Sequence, residues 1–481
     1  MSLEPRPGVR DVPSDVRAAA RRQGRDLPAA FNVLPGMIIA AVVMAVFILL
    51  DYTFDQDPHR VIKVALGVVA LGGIVSVPMF GLLILPIATP FLSWVPPTPI
   101  PGLNPLNVLL FSIFGTFALG RILQRRPLFR PNQLGAVIGL MLLLCAVSIV
   151  RGAAFPTGYG YNGLDAALQL FRSATTFATY FIVLAMARGL TDRRRITWAV
   201  ILGLLVESII TILYGRNGSG GRAIGSLGQS NELGSFLALF AVVALALLPG
   251  VKHWFGRLIL LGTFVTACIA IMMSLSRGGM LALLAGMFVV GWRSSRVGFG
   301  ILLAAMLLSP LWAPDYVKER VMSSQVEVEG TDEVALDTAA EARIQTWQSI
   351  LQVVSEHPIE GVGFTGLGYV LPDMGTLLGL EEVKDSAHNT YLRMLAEMGI
   401  LGIVLFIWLM VKCLLLAEAT VRTARHAFDR ALGVGLCGAT VSLAVSCAFG
   451  DRFFNVIIAS SFWVLCALAE DSVSERPAVK A

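Results

Sequence analysis

Apolar runs of membrane-crossing length alternate with short polar connections along most of the chain. A spanning helix needs about 20 mainly apolar residues. Such runs fall near 34–50, 61–77, 78–94, 106–123, 133–150, 168–189, 196–214, 232–249, 257–275, 278–292, 297–312, 394–416, 431–449 and 453–469. Pro78, Pro86 and Pro90 interrupt the long stretch 61–94, which reads as two crossings or as a kinked hairpin. The pattern predicts an all-α polytopic membrane protein with 12–14 transmembrane helices.

One polar region breaks the alternation. Residues 313–393 carry fourteen of the 32 acidic side chains and predict a small extramembrane loop domain. Within it, Ile344, Trp347, Leu351 and Val354 recur at helical spacing between Thr338 and Glu356. That spacing predicts an amphipathic helix lying along the membrane surface, ended by His357-Pro358. A second helical run starts near His388 and enters the membrane through Leu392, Leu395, Met398 and Leu401. The expected plan is a tail over 1–33, a helix bundle over 34–312, the loop domain over 313–393, closing helices over 394–470 and a tail over 471–481.

Composition narrows the class. Of 481 residues, 56% are hydrophobic and only 14% charged, against roughly a quarter charged in ordinary soluble proteins, which excludes a water-soluble enzyme. The net charge of +5 sits in short basic clusters between apolar runs. Such clusters encode membrane topology, and no nucleic-acid partner is expected. The first thirty residues are rich in arginine but lack a short apolar core with a cleavage site, so the first apolar segment reads as an anchor. Cys145, Cys268, Cys413, Cys437, Cys447 and Cys466 all fall inside apolar runs and read as small core hydrophobes.

With the N-terminus inside, Arg121, Arg130, Arg188, Arg193, Lys252, Arg257, Arg293, Arg422 and Arg430 all face the cytoplasm, as the positive-inside rule requires. Both termini are then cytoplasmic, and 215–231, 276–277, 313–393 and 450–452 lie outside. Arginines on the outer side run against the trend: Arg151, Arg172, Arg216, Arg222, Arg277, Arg320, Arg343, Arg393 and Arg452.

Some of these sit in informative surroundings. Arg216 and Arg222 flank a glycine-rich loop that runs into a helix at Ser230-Asn231. Backbone amides at a helix start beside guanidinium groups suit an anion such as pyrophosphate; a flexible connector with a helix cap is the other reading. Arg277, in Ser-Leu-Ser-Arg-Gly-Gly, sits where two helices meet at the membrane edge, placed to pair with a phosphate or to snorkel to headgroups. His388 starts a helix beside Asn389, as a proton acceptor or as a polar helix-start residue. Arg343 and Trp347, four apart, share a helix face. Gly361-Val-Gly-Phe-Thr-Gly366 lacks the surrounding βαβ unit of a dinucleotide site and reads as a set of turns. Glu207 is an intramembrane acid, either functional or a structural partner for an arginine on a neighbouring helix. A transporter is the alternative of another class, but transporters place ionisable residues near the midplane, where only Glu207 falls.

Four segments occur in order: RAIGSLGQSN (222–231), SLSRGG (274–279), the Arg343 helix followed by His357-Pro358-Ile359-Glu360-Gly361-Val362-Gly363, and AHNTYLRMLAEMGILG (387–402). Together they resemble the O-antigen ligase and polymerase superfamily, integral membrane glycosyltransferases that share a Wzy_C region. Gln229-Ser230-Asn231 departs from the Asn-Pro-Asn of many relatives but keeps Asn231. The resemblance implies a GT-C-like enzyme of the bacterial inner membrane with its site facing the periplasm. It would transfer a glycan from undecaprenyl pyrophosphate to an acceptor hydroxyl, with inversion and with no metal or other cofactor. Lipid A core is the acceptor of ligases, and a second lipid-linked glycan that of polymerases. Arg222, Arg277 and Arg343 would hold the pyrophosphate and His388 would activate the acceptor, with Asn231, Asn389, Trp347, Arg216 and Glu207 in support.

Overall fold

The computed structural model describes residues 72–74, 77–95, 104–154, 160–218, 221–294, 325–327, 334–336, 338–378 and 386–475. The apolar runs at 34–50 and 297–312, most of 61–77, the N-terminal tail and Arg320 lie outside the described residues.

The chain is helical almost throughout. In order come α1 (Pro78–Ala88, extended by a 3-10 turn to Trp94), α2 (Pro105–Leu123), α3 (Gly135–Ala154), α4 (Gly163–Met186), α5 (Gly189–Tyr214), α6 (Ser230–Leu247), α7 (Trp254–Ser274) and α8 (Arg277–Ser294). A two-stranded antiparallel hairpin pairs Gln325–Glu327 with Val334–Leu336. Then follow α9 (Thr338–Glu356), α10 (Leu367–Leu377), α11 (Thr390–Thr423), α12 (Ala427–Cys447) and α13 (Val456–Ser474). Among the described residues nine helices are long and apolar enough to cross a membrane, so the chain is a polytopic membrane protein. α8 is not one of the nine: Arg277 and Arg293 at its ends and four glycines lower its hydropathy, yet it packs against α6 and α12 as closely as any spanning helix.

Short connections make consecutive helices run in opposite directions. We call the end where α6, α8 and α11 begin the head of the bundle and the opposite end the tail. Asparagine caps start the descending helices α2, α4, α11 and α13, with Asn104, Asn162, Asn389 and Asn455 each accepting from first-turn amides. α6 and α12 occupy the middle of the bundle, bordered by α7, α8 and α11, while α13 packs on α4. An aromatic cluster of Phe177, Tyr180, Phe406, Phe453 and Trp463 fills the space beside α13.

The tail is tied by buried charge. Arg193 at the start of α5 is fully buried and donates to Asp429 Oδ1 and Oδ2 at 2.9 and 3.0 Å, to Asp471 Oδ2 at 2.7 Å and to Glu475 Oε2 at 2.9 Å. Arg130 adds a second guanidinium on Asp471 at 2.7 Å. One planar donor thus gathers the starts of α5 and α12 and the end of α13.

Candidate functional site

The glycine-rich loop after α5 is built onto the neighbouring helix ends. Ala223 N–H donates to Met273 O at 2.9 Å, and Arg222 Nε donates to Ser274 O at 3.1 Å. Arg222 Nη2 donates to Asn231 Oδ1 at 2.7 Å in the first turn of α6. The RAIGSLGQSN and SLSRGG segments are therefore one structural unit. Leu275, in the left-handed region at φ 51°, makes the tight turn into α8, and Ser276 Oγ caps that helix by accepting from Gly279 N–H at 3.2 Å. Arg277 is the first residue of α8 and is partly exposed.

Two glycines bring the helix starts side by side. A Cβ on Gly279 would lie 2.8 Å from the Gly234 backbone, and one on Gly234 would lie 2.6 Å from Ser276 Cβ. Only glycine at both positions lets α6 and α8 cross this closely. The result is a pair of helix N-termini with Arg222 and Arg277 beside them; the Gln229 side chain at the N-cap position makes no capping bond to α6. Positive dipole ends, backbone N–H groups and guanidinium groups together suit a multiply charged anion.

Glu207 supports this loop from below. The sequence leaves open a structural pairing with an arginine; instead Glu207 Oε1 accepts from Ser226 N–H at 2.9 Å and from Thr211 Oγ1 at 3.3 Å, and Oε2 accepts from Ser226 Oγ. The loop folds down onto α5, so backbone and hydroxyl donors reach the carboxylate. Arg216 is exposed in the connection just after α5.

The other two segments also meet. Trp347 Nε1 donates to Ala387 O at 3.0 Å, which brings the Arg343 helix beside the His388 turn. Trp347 and Val354 pack on Ile350, Leu367, Leu371, Ala387 and Ala396, while Ile344 and Leu351 stay exposed. The four apolar positions therefore do not form one membrane-facing stripe. α10, which the sequence reading did not foresee, supplies the surface that takes the inner pair. Arg343 is partly buried on α9.

The glycine-rich turn at 361–366 docks into a broken helix. Gly399 adopts φ 65° and ψ −161° inside α11. Into the gap, Val362 and Gly363 N–H groups donate to Ala396 O and Glu397 O at 2.9 and 3.0 Å, while Ile400 N–H donates to Pro358 O at 3.0 Å. A side chain at Gly399 would overlap Ile359 O. Arg151 holds the turn from α3 through Gly361 O and Glu360 Oε1. Tyr161 donates to Phe364 O at 2.9 Å, and burial pushes its hydroxyl up to about 12, keeping it a donor. Glu360 is held below the usual carboxylate range by its own backbone amide and by His357.

His388 stands in the left-handed region at φ 46°. Its N–H donates to Ser386 Oγ at 3.4 Å, and Ser386 Oγ donates to Asp451 Oδ2 at 2.8 Å. Asn389 is committed as a helix cap, its Oδ1 accepting from Tyr391 and Leu392 N–H. Sequence reasoning missed Asp451, Ser386, Glu232 and Glu397. Arg393 and Arg452 stood out only as outer-side arginines with no further role. Arg393 pairs with Glu397 at 3.1 Å, and Arg452 lies 3.5 Å from Glu232. Burial pushes the Arg452 guanidinium down. The tripeptide Gly450-Asp451-Arg452, charged residues at a helix turn otherwise poor in them, was the available signal.

The sequence model of a family described as O-antigen ligase, Wzy_C, matches residues 262–407. No curated protein matches the chain.

Proposed function

We propose that this chain, whose residues 262–407 match the sequence model of the O-antigen ligase family, transfers a glycan from a polyprenyl-pyrophosphate carrier to an acceptor hydroxyl at the head of the bundle. The observation that carries the reading is the paired starts of α6 and α8 with Arg222 and Arg277 beside them. A pyrophosphate leaving group gains charge as its bond to sugar breaks, and preorganised donors aimed at that charge favour the transition state over the ground state.

The acceptor oxygen attacks the anomeric carbon, and its proton passes to His388. The bond from that carbon to the phosphate oxygen breaks, with the electron pair staying on the pyrophosphate. One displacement inverts the anomeric centre. Guanidinium groups supply the positive charge, so a chelator leaves the rate unchanged. Arg343 is a third contact to the carrier, brought near the His388 turn by the Trp347 bond to Ala387. The carrier is undecaprenyl pyrophosphate of a bacterial inner membrane, and the acceptor is lipid A core. The basic tail, with Arg130, Arg193 and Arg430, supports a cytoplasmic placement for that end and a periplasmic one for the head.

The test uses purified protein in liposomes with a polyprenyl-pyrophosphate glycan and lipid A core. His388→Ala and Arg277→Ala, each shown to be folded and inserted, are expected to lower transfer at least about 100-fold. Wild-type rates in either variant sink the assignment. Polymer lengthening on the carrier in place of capped lipid A core makes the enzyme a polymerase.

A further inference from the structure

The four sequence segments form two structural pairs. One pair is the Arg222 loop with the start of α8; the other is the Arg343 helix with the His388 turn. Covalently the two are separated by the whole of α8 and the residues from 295 to 337. The short corner between α12 and α13, residues 450–452, touches both.

Its three residues each make a different bond. Gly450 O accepts from Thr390 Oγ1 at 2.8 Å, in the first turn of α11 next to the Asn389 cap. Asp451 Oδ2 accepts from Ser386 Oγ at 2.8 Å, and that hydroxyl in turn accepts His388 N–H at 3.4 Å. Arg452, only 5% exposed, reaches Glu232 at 3.5 Å, one residue past the Asn231 that receives Arg222. Arg393, over the Phe454 ring at 5.4 Å, lies 3.8 Å from Asp451 and closes the group.

His388 stands in the left-handed region, which histidine visits more readily than most non-glycine residues but still uncommonly. Such a conformation persists where the surroundings hold it. The Ser386 hydroxyl binds the His388 amide on one side and Asp451 on the other, so the carboxylate fixes the turn. Arg452 anchors the same corner to the start of α6.

We propose that Asp451 is a positioning residue: through Ser386 it holds the His388 turn, and through its neighbour Arg452 it holds that turn at a set distance from the Arg222 loop. The proposal rests on the reading of His388 as the base. Asp451 itself touches neither sugar nor pyrophosphate. It acts on the geometry of proton transfer and not on binding of the carrier, so its loss lowers kcat and leaves the donor KM alone.

Four full-length variants in liposomes test this: Ser386→Ala, Asp451→Ala, the double variant and Asp451→Asn. The two single alanine variants are expected to lower kcat about 100-fold, the size of effect a misplaced group produces, with donor KM within about twofold of wild type. The double variant is expected to be no worse than either single one, because both break one chain of bonds. Asp451→Asn keeps an oxygen that accepts from Ser386 and is expected to restore kcat to within about fivefold of wild type. Amide hydrogen exchange over 386–390, which needs no turnover, is expected to rise at least about tenfold in Asp451→Ala and not in Asp451→Asn.

Unchanged exchange in Asp451→Ala overturns the proposal. So do additive losses in the double variant, or an Asp451→Asn protein as slow as Asp451→Ala, which would make the charge and not the hydrogen bond the operative property. A wild-type protein that transfers no glycan overturns the proposed function instead, while the exchange measurement still decides whether Asp451 holds the turn.

Discussion

Arg193 at the tail and Arg222 at the head show two uses of the same side chain. Arg193 has no exposed surface and spends its donors on three carboxylates from two other segments, the start of α12 and the end of α13. Its charge is neutralised where it stands, and the arrangement can only hold helices together. The described bonds of Arg222 go to a backbone carbonyl and a carboxamide. Those two bonds orient the guanidinium next to two helix starts that add positive potential of their own. Acidic partners on other helices make Arg193 a structural tie, whereas the proposed pyrophosphate role asks of Arg222 only that it be aimed at the two helix starts. Left-handed backbone at non-glycine residues occurs at both ends, at Leu275, Thr365 and His388 at the head and at Arg125 at the tail.

The contrast breaks most readily at the tail. Arg193→Ala strands Asp429 in the protein interior and leaves Asp471 to Arg130 alone among the cations named, and removing one partner of a buried pair costs about 3–5 kcal/mol. The expected result is a large fall in melting temperature and in the yield of inserted protein, measured by thermal unfolding in detergent. Transfer per folded molecule is expected to stay near wild type; a selective loss of transfer at unchanged stability would erase the distinction between the two ends.

A smaller change sharpens the head. Glu207→Ala leaves the Ser226 amide without the carboxylate that accepts it, a cost of about 1–3 kcal/mol for a buried polar group, and leaves the Ser226 hydroxyl to Pro90 O. The Arg222 loop then loosens. Donor KM is expected to rise while kcat at saturation changes little, the opposite split from the Asp451 variants. A Glu207→Ala protein with wild-type donor KM would show that the loop holds its shape without the carboxylate.

The smallest effect belongs to Glu360, at the edge of the docked turn. Its folded carboxyl titrates below its unfolded value, so its contribution to stability is present above the ordinary glutamate range and is lost as pH falls through the folded value. Because the side chain is 45% exposed, solvent screening keeps that contribution to about 0.3 kcal/mol or less. Glu360→Gln is expected to flatten slightly the fall in melting temperature between neutral and acidic pH. A steep change would mean that the turn, and with it the break in α11, depends on this one charge.

Much of this molecule was legible as pattern. Runs of apolar residues marked the crossings because a lipid-facing helix must satisfy its backbone internally and show apolar side chains outside. Described helices stand at 106–123, 133–150, 168–189, 196–214, 232–249, 257–275, 278–292, 394–416, 431–449 and 453–469, where the runs place them, with ends shifted by a few residues. The break at Gly399 was hidden, because a helix interrupted by an inserted loop keeps its apolar composition. α10 was hidden too, since Leu367–Leu377 follows a string of turn glycines and contains Pro372.

At the candidate site, residue type and short-range motif singled out Arg222, Arg277, Arg343 and His388. They did so because glycine-rich turns, helix starts and arginines against the topology trend are local features. The residues that join them were not local. Asp451 and Ser386 are 65 positions apart, and Arg222 and Ser274 are 52 apart. No spacing rule connects such pairs, and Asp451 alone in a helix corner looks like any polar turn residue. Hydrophobic pattern and charge asymmetry by themselves determined that the chain crosses a membrane many times and which end carries its basic residues. Tertiary packing alone decided which polar groups meet at the other end, because the close crossing of α6 and α8 at Gly234 and Gly279 and the corner at 450–452 depend on how helices distant in sequence pack.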